Sequence, residues 1–92
     1  MRINFAHIRE RSTTGGWIDF AVFEAKSITG FDSDNDASLL DLVLRAQGLG
    51  LKIDKAALAY QENGQIKFWG AKDLVARLSN SGIPQFTHYL DV

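Results

Sequence analysis

The stretch KAALAYQENGQIKFWG, residues 55–70, predicts the strand pair on which the rest of the fold is built. At its centre, Asn63 and Gly64 are residue types that adopt the two positive φ angles of a type I′ turn, a tight link between antiparallel strands. A two-residue loop at this point pairs Glu62 with Gln65, Gln61 with Ile66, Tyr60 with Lys67, Ala59 with Phe68 and Leu58 with Trp69. Since strand side chains alternate between faces, one face carries Leu58, Tyr60, Lys67 and Trp69. The opposite face carries small alanines, which leave room for a helix to approach.

Three further segments alternate in the way that strands do. Residues 2–8, RINFAHI, and residues 17–25, WIDFAVFEA, are separated by turn formers and two glycines, and this short connection favours an antiparallel pair. The segment 17–25 is largely apolar on both faces, which predicts either a central strand covered on both sides or a strand covered on one side with an exposed aromatic patch. The closing segment 85–92, QFTHYLDV, predicts a terminal strand.

Two segments have helical periodicity. In residues 37–47 the apolar side chains cover most of the circumference, and only Ser38, Asp41 and Arg45 form a polar stripe. A helix this apolar is expected to be buried on more than one side. Residues 71–80 predict a shorter helix that ends at Gly82 and cannot resume at Pro84.

The predicted order is therefore ββαββαβ within one α+β domain over residues 1–92. Hairpins mixed with helices predict an antiparallel or mixed sheet with the two helices packed mainly on one face. The length of 92 residues suits one domain, and the apolar fraction of 46% and charged fraction of 23% are ordinary for a globular chain.

Composition argues against several classes of function. The sequence contains no cysteine, so disulfides and thiolate metal sites play no part. A net charge of −1 and a pI near 6.0 argue against nucleic acid as the partner, because affinity for phosphate comes from cationic side chains. No run approaches the ~18–20 apolar residues of a membrane span, and the first residues lack the apolar core of a signal peptide. We therefore expect a cytoplasmic protein with no membrane contact.

The acidic run FDSDNDASLLDL, residues 31–42, has the spacing of the first three ligands in a calcium loop. Counted from Asp32, however, position 6 is Ala37 instead of glycine, and position 12 is Val43 instead of glutamate. The residues fit a helix start better, with Asp36 as the N-cap and with Asp32 and Asp34 near the positive end of the helix dipole. We expect no metal and no cofactor here.

The other candidates for chemistry are weak. The segment STTGG, residues 12–16, offers hydroxyls, but a strand follows it, whereas a phosphate loop needs a helix. His7 and His88 lie in the first and last predicted strands and are expected to be hydrogen-bonded and partly buried, because zinc sites usually take four ligands. No spacing typical of nucleophilic catalysis is present, so we expect that the protein is not an enzyme.

The remaining interpretation is a protein-binding domain, such as an inhibitor or adaptor. Anti-CRISPR proteins of phages and mobile elements are a comparable group by size and composition alone. The candidate contact residues are Arg9, Arg11, Trp17, Tyr60, Lys67 and Trp69, since tryptophan, tyrosine and arginine are common at binding hot spots. The hairpin face with Tyr60, Lys67 and Trp69 fits core or edge packing as well, because aromatic residues are common there too. The large apolar surface also suggests a homodimer. The alternative is a nucleic-acid-binding module that uses the Arg9/Arg11 loop and the aromatic hairpin.

Overall fold

The computed structural model describes residues 2–27 and 36–91, of which residues 27 and 36–38 are described by their backbone alone. Its strands and α-helices are β1 (Arg2–Arg11), β2 (Trp17–Glu24), α1 (Asp36–Gln47), β3 (Lys55–Glu62), β4 (Gln65–Gly70), α2 (Lys72–Ser81) and β5 (His88–Asp91). A short 3₁₀ turn at Ala25–Ser27 follows β2. The predicted order ββαββαβ and the α+β class are confirmed.

The five strands form one mixed sheet in the order β4-β3-β2-β1-β5. The pair β2–β3 is parallel, because α1 carries the chain back across the sheet between them, and the other neighbouring pairs are antiparallel. The central position of β2 explains why its side chains are apolar on both faces.

The β3–β4 hairpin forms in the predicted register. Asn63 and Gly64 have φ angles of 53° and 77°, as the two-residue turn requires. All five pairs predicted from the turn are present, and Ala57 pairs in addition with Gly70. The local sequence was sufficient here because a two-residue loop allows a single alignment of its strands.

The predicted placement of both helices mainly on one face is wrong. One buried cluster joins Phe5, Phe23 and Leu58 of the sheet to Leu42 of α1. A second cluster joins sheet residues of the opposite parity, including Val22, to α2. Since successive strand residues point to opposite faces, α1 covers one face and α2 covers the other. The reason is topological: α1 occupies the first face, and α2 connects the two opposite edges of the sheet, β4 and β5, across the second.

The outer surface of α1 also departs from expectation. Leu42 and Ala46 are buried against the sheet, but Leu40 and Leu44 are 61% and 58% exposed. The prediction of burial on more than one side is therefore wrong, because α1 has the sheet beneath it and the described residues place no second layer over it. Within the same residues no helix has the length and apolar character needed to cross a membrane.

The start of α1 bears on the acidic run. The helix begins at Asp36, one residue before the predicted start. Asp32 and Asp34 lie outside the described residues, and so does the Asp36 side chain. The role of Asp36 as an N-cap therefore stays a prediction.

The predicted end of α2 is confirmed: the Gly82 N–H donates to the carbonyl of Leu78, and Gly82 has a φ of 86°.

Candidate functional site

The turn between β1 and β2 is held together by its own polar groups. The Ser12 N–H donates to the Gly16 carbonyl at 2.7 Å, and Gly15 takes a φ of 95°. The Ser12 hydroxyl accepts from the Thr14 N–H at 3.0 Å and lies 2.6 Å from the Thr14 hydroxyl. Two of the three hydroxyls that the sequence offered as a phosphate contact, those of Ser12 and Thr14, are thus used inside the turn that joins the two strands.

The alignment of β1 with β2 creates the Arg–Trp cluster, which consists of Arg9, Arg11 and Trp17. Arg11 is directly opposite Trp17 in the strand pair, and Arg9 is its diagonal neighbour on the same face. The Cζ atoms of Arg9 and Arg11 lie 4.9 and 4.7 Å from the centroid of the Trp17 ring, within cation–π range. Trp17 is nevertheless 46% exposed. An aromatic ring is therefore held in place beside two guanidinium groups at the surface.

The two arginines differ in how their charge is balanced. The Nε of Arg9 lies 3.9 Å from Oδ1 of Asp19, which is the one buried charged side chain among the described residues. Arg11 donates from Nη1 to the Gly15 carbonyl at 3.0 Å, and no carboxylate within the described part of the chain is in ion-pair range of it. The Arg–Trp cluster therefore presents an excess of positive charge.

His7 lies on the same face of β1 as Arg9 and approaches the same Asp19 carboxylate oxygen. Its Nε2 is 3.2 Å from Oδ1 of Asp19 and 3.0 Å from the carbonyl of Lys52. Since both neighbours are acceptors, Nε2 carries the proton. The main-chain N–H of Asp19 in turn donates to Oδ2 of Asp54 at 2.9 Å. The expectation of a hydrogen-bonded, partly buried histidine is confirmed at this position.

His88 approaches His7 because β1 and β5 are neighbours in the sheet. The ring centroids are 6.0 Å apart, in an edge-to-face arrangement, and Nδ1 of His88 lies 3.1 Å from the Thr87 hydroxyl. Across residues 2–27 and 36–91 no group of three or more potential metal ligands is assembled. The His88 ring also packs on Phe5, with the ring centroids 5.3 Å apart.

The other three predicted contact residues lie elsewhere. Tyr60 and Trp69 are partly buried against the α1-side cluster, and the Nζ of Lys67 is 3.5 Å from Oε1 of Glu62. Tyr60 comes one position past the pair that Ala59 forms with Glu24, which places it roughly 26 Å from Trp17 along the strands at about 3.3 Å per residue. The six predicted residues thus form two separate groups.

Sequence reasoning missed two exposed features. One is the exposed pair Leu40 and Leu44 on α1. Leu40 also lines, with Trp69, a groove of about 460 Å³ between α1 and the β3–β4 hairpin. The other is Tyr89, 48% exposed with the Cζ of Arg2 4.0 Å from its ring centroid. The signal for the leucines was present in the apolar circumference of residues 37–47, but burial was the simpler interpretation. Tyr89 carried no signal beyond strand alternation.

Comparison with known proteins finds no matching protein family, no matching characterised protein and no matching solved structure. Any assignment of function therefore depends on the chemistry of the surfaces described above.

Proposed function

We propose that the chain is a small non-enzymatic protein-binding domain, an inhibitor or adaptor, and that the Arg–Trp cluster is the centre of its contact surface. The observation that supports this is the half-exposed Trp17 ring beside the two guanidinium groups. Tryptophan and arginine are among the residue types most enriched at binding hot spots. A ring that is already held in position also loses little conformational freedom on binding.

The charge of the Arg–Trp cluster defines the chemistry of the partner. Arg11 has no carboxylate in range among the described residues, and Arg9 has one at 3.9 Å. A protein surface with one or two carboxylates beside an apolar depression would complement the guanidinium groups and the ring together. Tyr60, Lys67 and Trp69 belong to the proposal as a second contact region, separate from the first.

The test begins with affinity capture from the native host, followed by calorimetry on the purified pair. Trp17→Ala is expected to weaken binding by about 30-fold or more, because truncating a hot-spot residue costs about 2 kcal/mol or more. Arg11→Ala should weaken binding and reduce its dependence on salt.

Tyr89→Ala is the matched control, since Tyr89 is equally exposed and also lies beside an arginine. Its affinity should stay near that of the parent protein. Full affinity in Trp17→Ala would contradict the proposal.

The alternative is a nucleic-acid-binding module. The Arg–Trp cluster favours it, since aromatic rings beside arginines stack unpaired bases and contact phosphates. The net charge of −1 and the distance between the two groups of candidate residues argue against it. Titration with single-stranded oligonucleotides at several salt concentrations separates the two proposals, because binding to nucleic acid weakens steeply with salt.

A cytoplasmic location is part of the main proposal. It is based on the lack of any apolar run of the ~18–20 residues that a membrane span needs. No cofactor and no membrane contact enter into the proposed function.

A further inference from the structure

The outer surface of α1 carries an apolar row that no described residue covers. Leu40 and Leu44 are one helical turn apart, and both are more than half exposed. Exposed leucines at this spacing form a continuous ridge along a helix. The ridge lies on the side away from Leu42 and Ala46, which pack on the sheet.

A pair of opposite charges runs beside the ridge. Asp41 and Arg45 are also one turn apart, and the Nε of Arg45 donates to Oδ2 of Asp41 at 2.9 Å. Each follows a ridge leucine by one position, so both charges lie on the same flank of the ridge. Over residues 39–47 these two side chains are the only charged ones, so the exposed surface of this part of α1 has no net charge.

We infer that a second copy of the chain packs on this ridge, with the two α1 helices antiparallel across a two-fold axis. A two-fold interface must be complementary to itself. Antiparallel pairing sets Leu40 of each copy against Leu44 of the other. The same rotation brings Asp41 of each copy towards Arg45 of the other, on the same flank of the ridge.

The charge pattern selects this partner over others. A foreign acidic or basic surface would leave one of the two charges facing a like charge, and a wholly apolar one would leave both without a new partner. A second copy offers an arginine to Asp41 and an aspartate to Arg45, and these two charges have the same spacing in both copies. Two leucines from each copy form a small apolar contact compared with standard interfaces. The dimer should therefore be weak and should form at micromolar or higher concentration.

This inference goes beyond the proposed function, because it uses no residue of the Arg–Trp cluster. The two ideas can fail separately. Loss of the dimer leaves hot-spot binding at Trp17 to be tested on the monomer, and loss of partner binding in Trp17→Ala leaves the dimer intact.

Sedimentation equilibrium over a concentration series tests the contact. The mass should rise from 10.2 kDa towards twice that value as the protein is concentrated. Leu44→Gln should raise the dimer dissociation constant about tenfold or more, because it places an amide at the centre of the apolar contact. Leu49→Gln is the matched control, since Leu49 is 62% exposed but lies beyond the end of the helix, and it should leave the dissociation constant unchanged.

Charge reversal gives a sharper test of the antiparallel arrangement. Asp41→Arg leaves two positive charges on the flank of the ridge, and Arg45→Asp leaves two negative ones. Each variant should weaken self-association, because the two-fold axis brings these like charges against the same charges of the second copy. An equimolar mixture of the two variants should associate again, and so should the double variant with both changes.

Three results would overturn the inference. They are a strict monomer at high micromolar concentration, a dimer that survives Leu44→Gln, and charge variants that fail to associate when mixed.

Discussion

The two helices pack on opposite faces of one sheet, and they differ in which side chains they expose to solvent. On α2, Leu74 and Leu78 are buried, and the charges beside them reach back to the sheet: Asp73 pairs with Lys55 of β3, and Arg77 with Glu10 of β1. On α1, the only ion pair among the described side chains is internal to the helix, and two leucines face outward.

This difference shows which helix exposes an apolar surface: α1 does so, and α2 does not. A helix with one apolar stripe and polar groups elsewhere needs no further layer, and α2 fits that description. An exposed apolar ridge usually marks an interaction surface, and α1 carries one. The ion pairs of α2 link the helix to the sheet, whereas the pair on α1 joins two residues of the same helix.

The largest expected effect is the loss of stability on truncating a buried leucine of α2, compared with an exposed leucine of α1. Leu74→Ala should lower the free energy of unfolding by about 2–5 kcal/mol, because it removes a nearly fully buried side chain and leaves a cavity. Leu44→Ala should change it by less than about 0.5 kcal/mol, as surface substitutions do. Urea denaturation at low protein concentration, where the proposed dimer would be dissociated, provides both values. Equal losses in the two variants would mean that Leu44 is covered within the monomer.

A smaller effect is expected where β4 leads into α2. Gly70 has a φ of 145°, and a Cβ built on it would come within 2.5 Å of the Ala56 carbonyl oxygen. Gly70→Ala should therefore destabilise the fold by about 1–3 kcal/mol, through backbone strain and displacement of β4. Gly16→Ala is the control, since a Cβ at Gly16 has open space around it. Thermal denaturation of both variants measures the difference, and equal melting temperatures would contradict the close approach.

The smallest expected effect concerns pH. The hydrogen bond and charge of the Lys55 ammonium lower the pKa of the Asp73 carboxyl below its ordinary value of 3.8. The contribution to stability is complete above that ordinary value and is lost as the pH falls through the lowered pKa. Because the pair is exposed, the effect should be slight.

The change in stability between neutral pH and pH values below 3.8 measures this contribution. Asp73→Asn should lose less stability over that interval than the parent protein. Lys55→Gln should reproduce the smaller loss, since Lys55 is the cause of the lowered pKa. An unchanged acid profile in Asp73→Asn would show that the pair contributes nothing to folding.

Local sequence predicted the β3–β4 hairpin completely. The turn residues Asn63 and Gly64 set a loop of two residues, and the alternation of side chains then assigned each residue to a face. The apolar character of both faces of β2 likewise indicated a central strand as one of two alternatives. These features depend on neighbours in the chain, which a single sequence displays.

The candidate site was predicted only in part. Arg9, Arg11 and Trp17 were proposed for their residue types, and the strand register brings the three side chains into contact. Tyr60, Lys67 and Trp69 were proposed as part of the same surface, but the parallel alignment of β2 with β3 sends them towards the other end of the sheet. The sequence alone could not reveal this separation. The register of β2 with β3 depends on the long connection through α1, whereas the register of a hairpin is set by its short turn.

By itself, the sequence determined the order of the strands and helices, the alternation of strand side chains between faces and the register of the β3–β4 hairpin. These follow from alternation and from backbone angles that few residue types adopt. Only the tertiary structure decided which face each helix covers, and hence that Leu40 and Leu44 remain exposed. Burial of a helix depends on elements far away in the chain. A helix that is apolar around most of its circumference can therefore be buried on all sides or have one side exposed, and its own sequence does not distinguish the two.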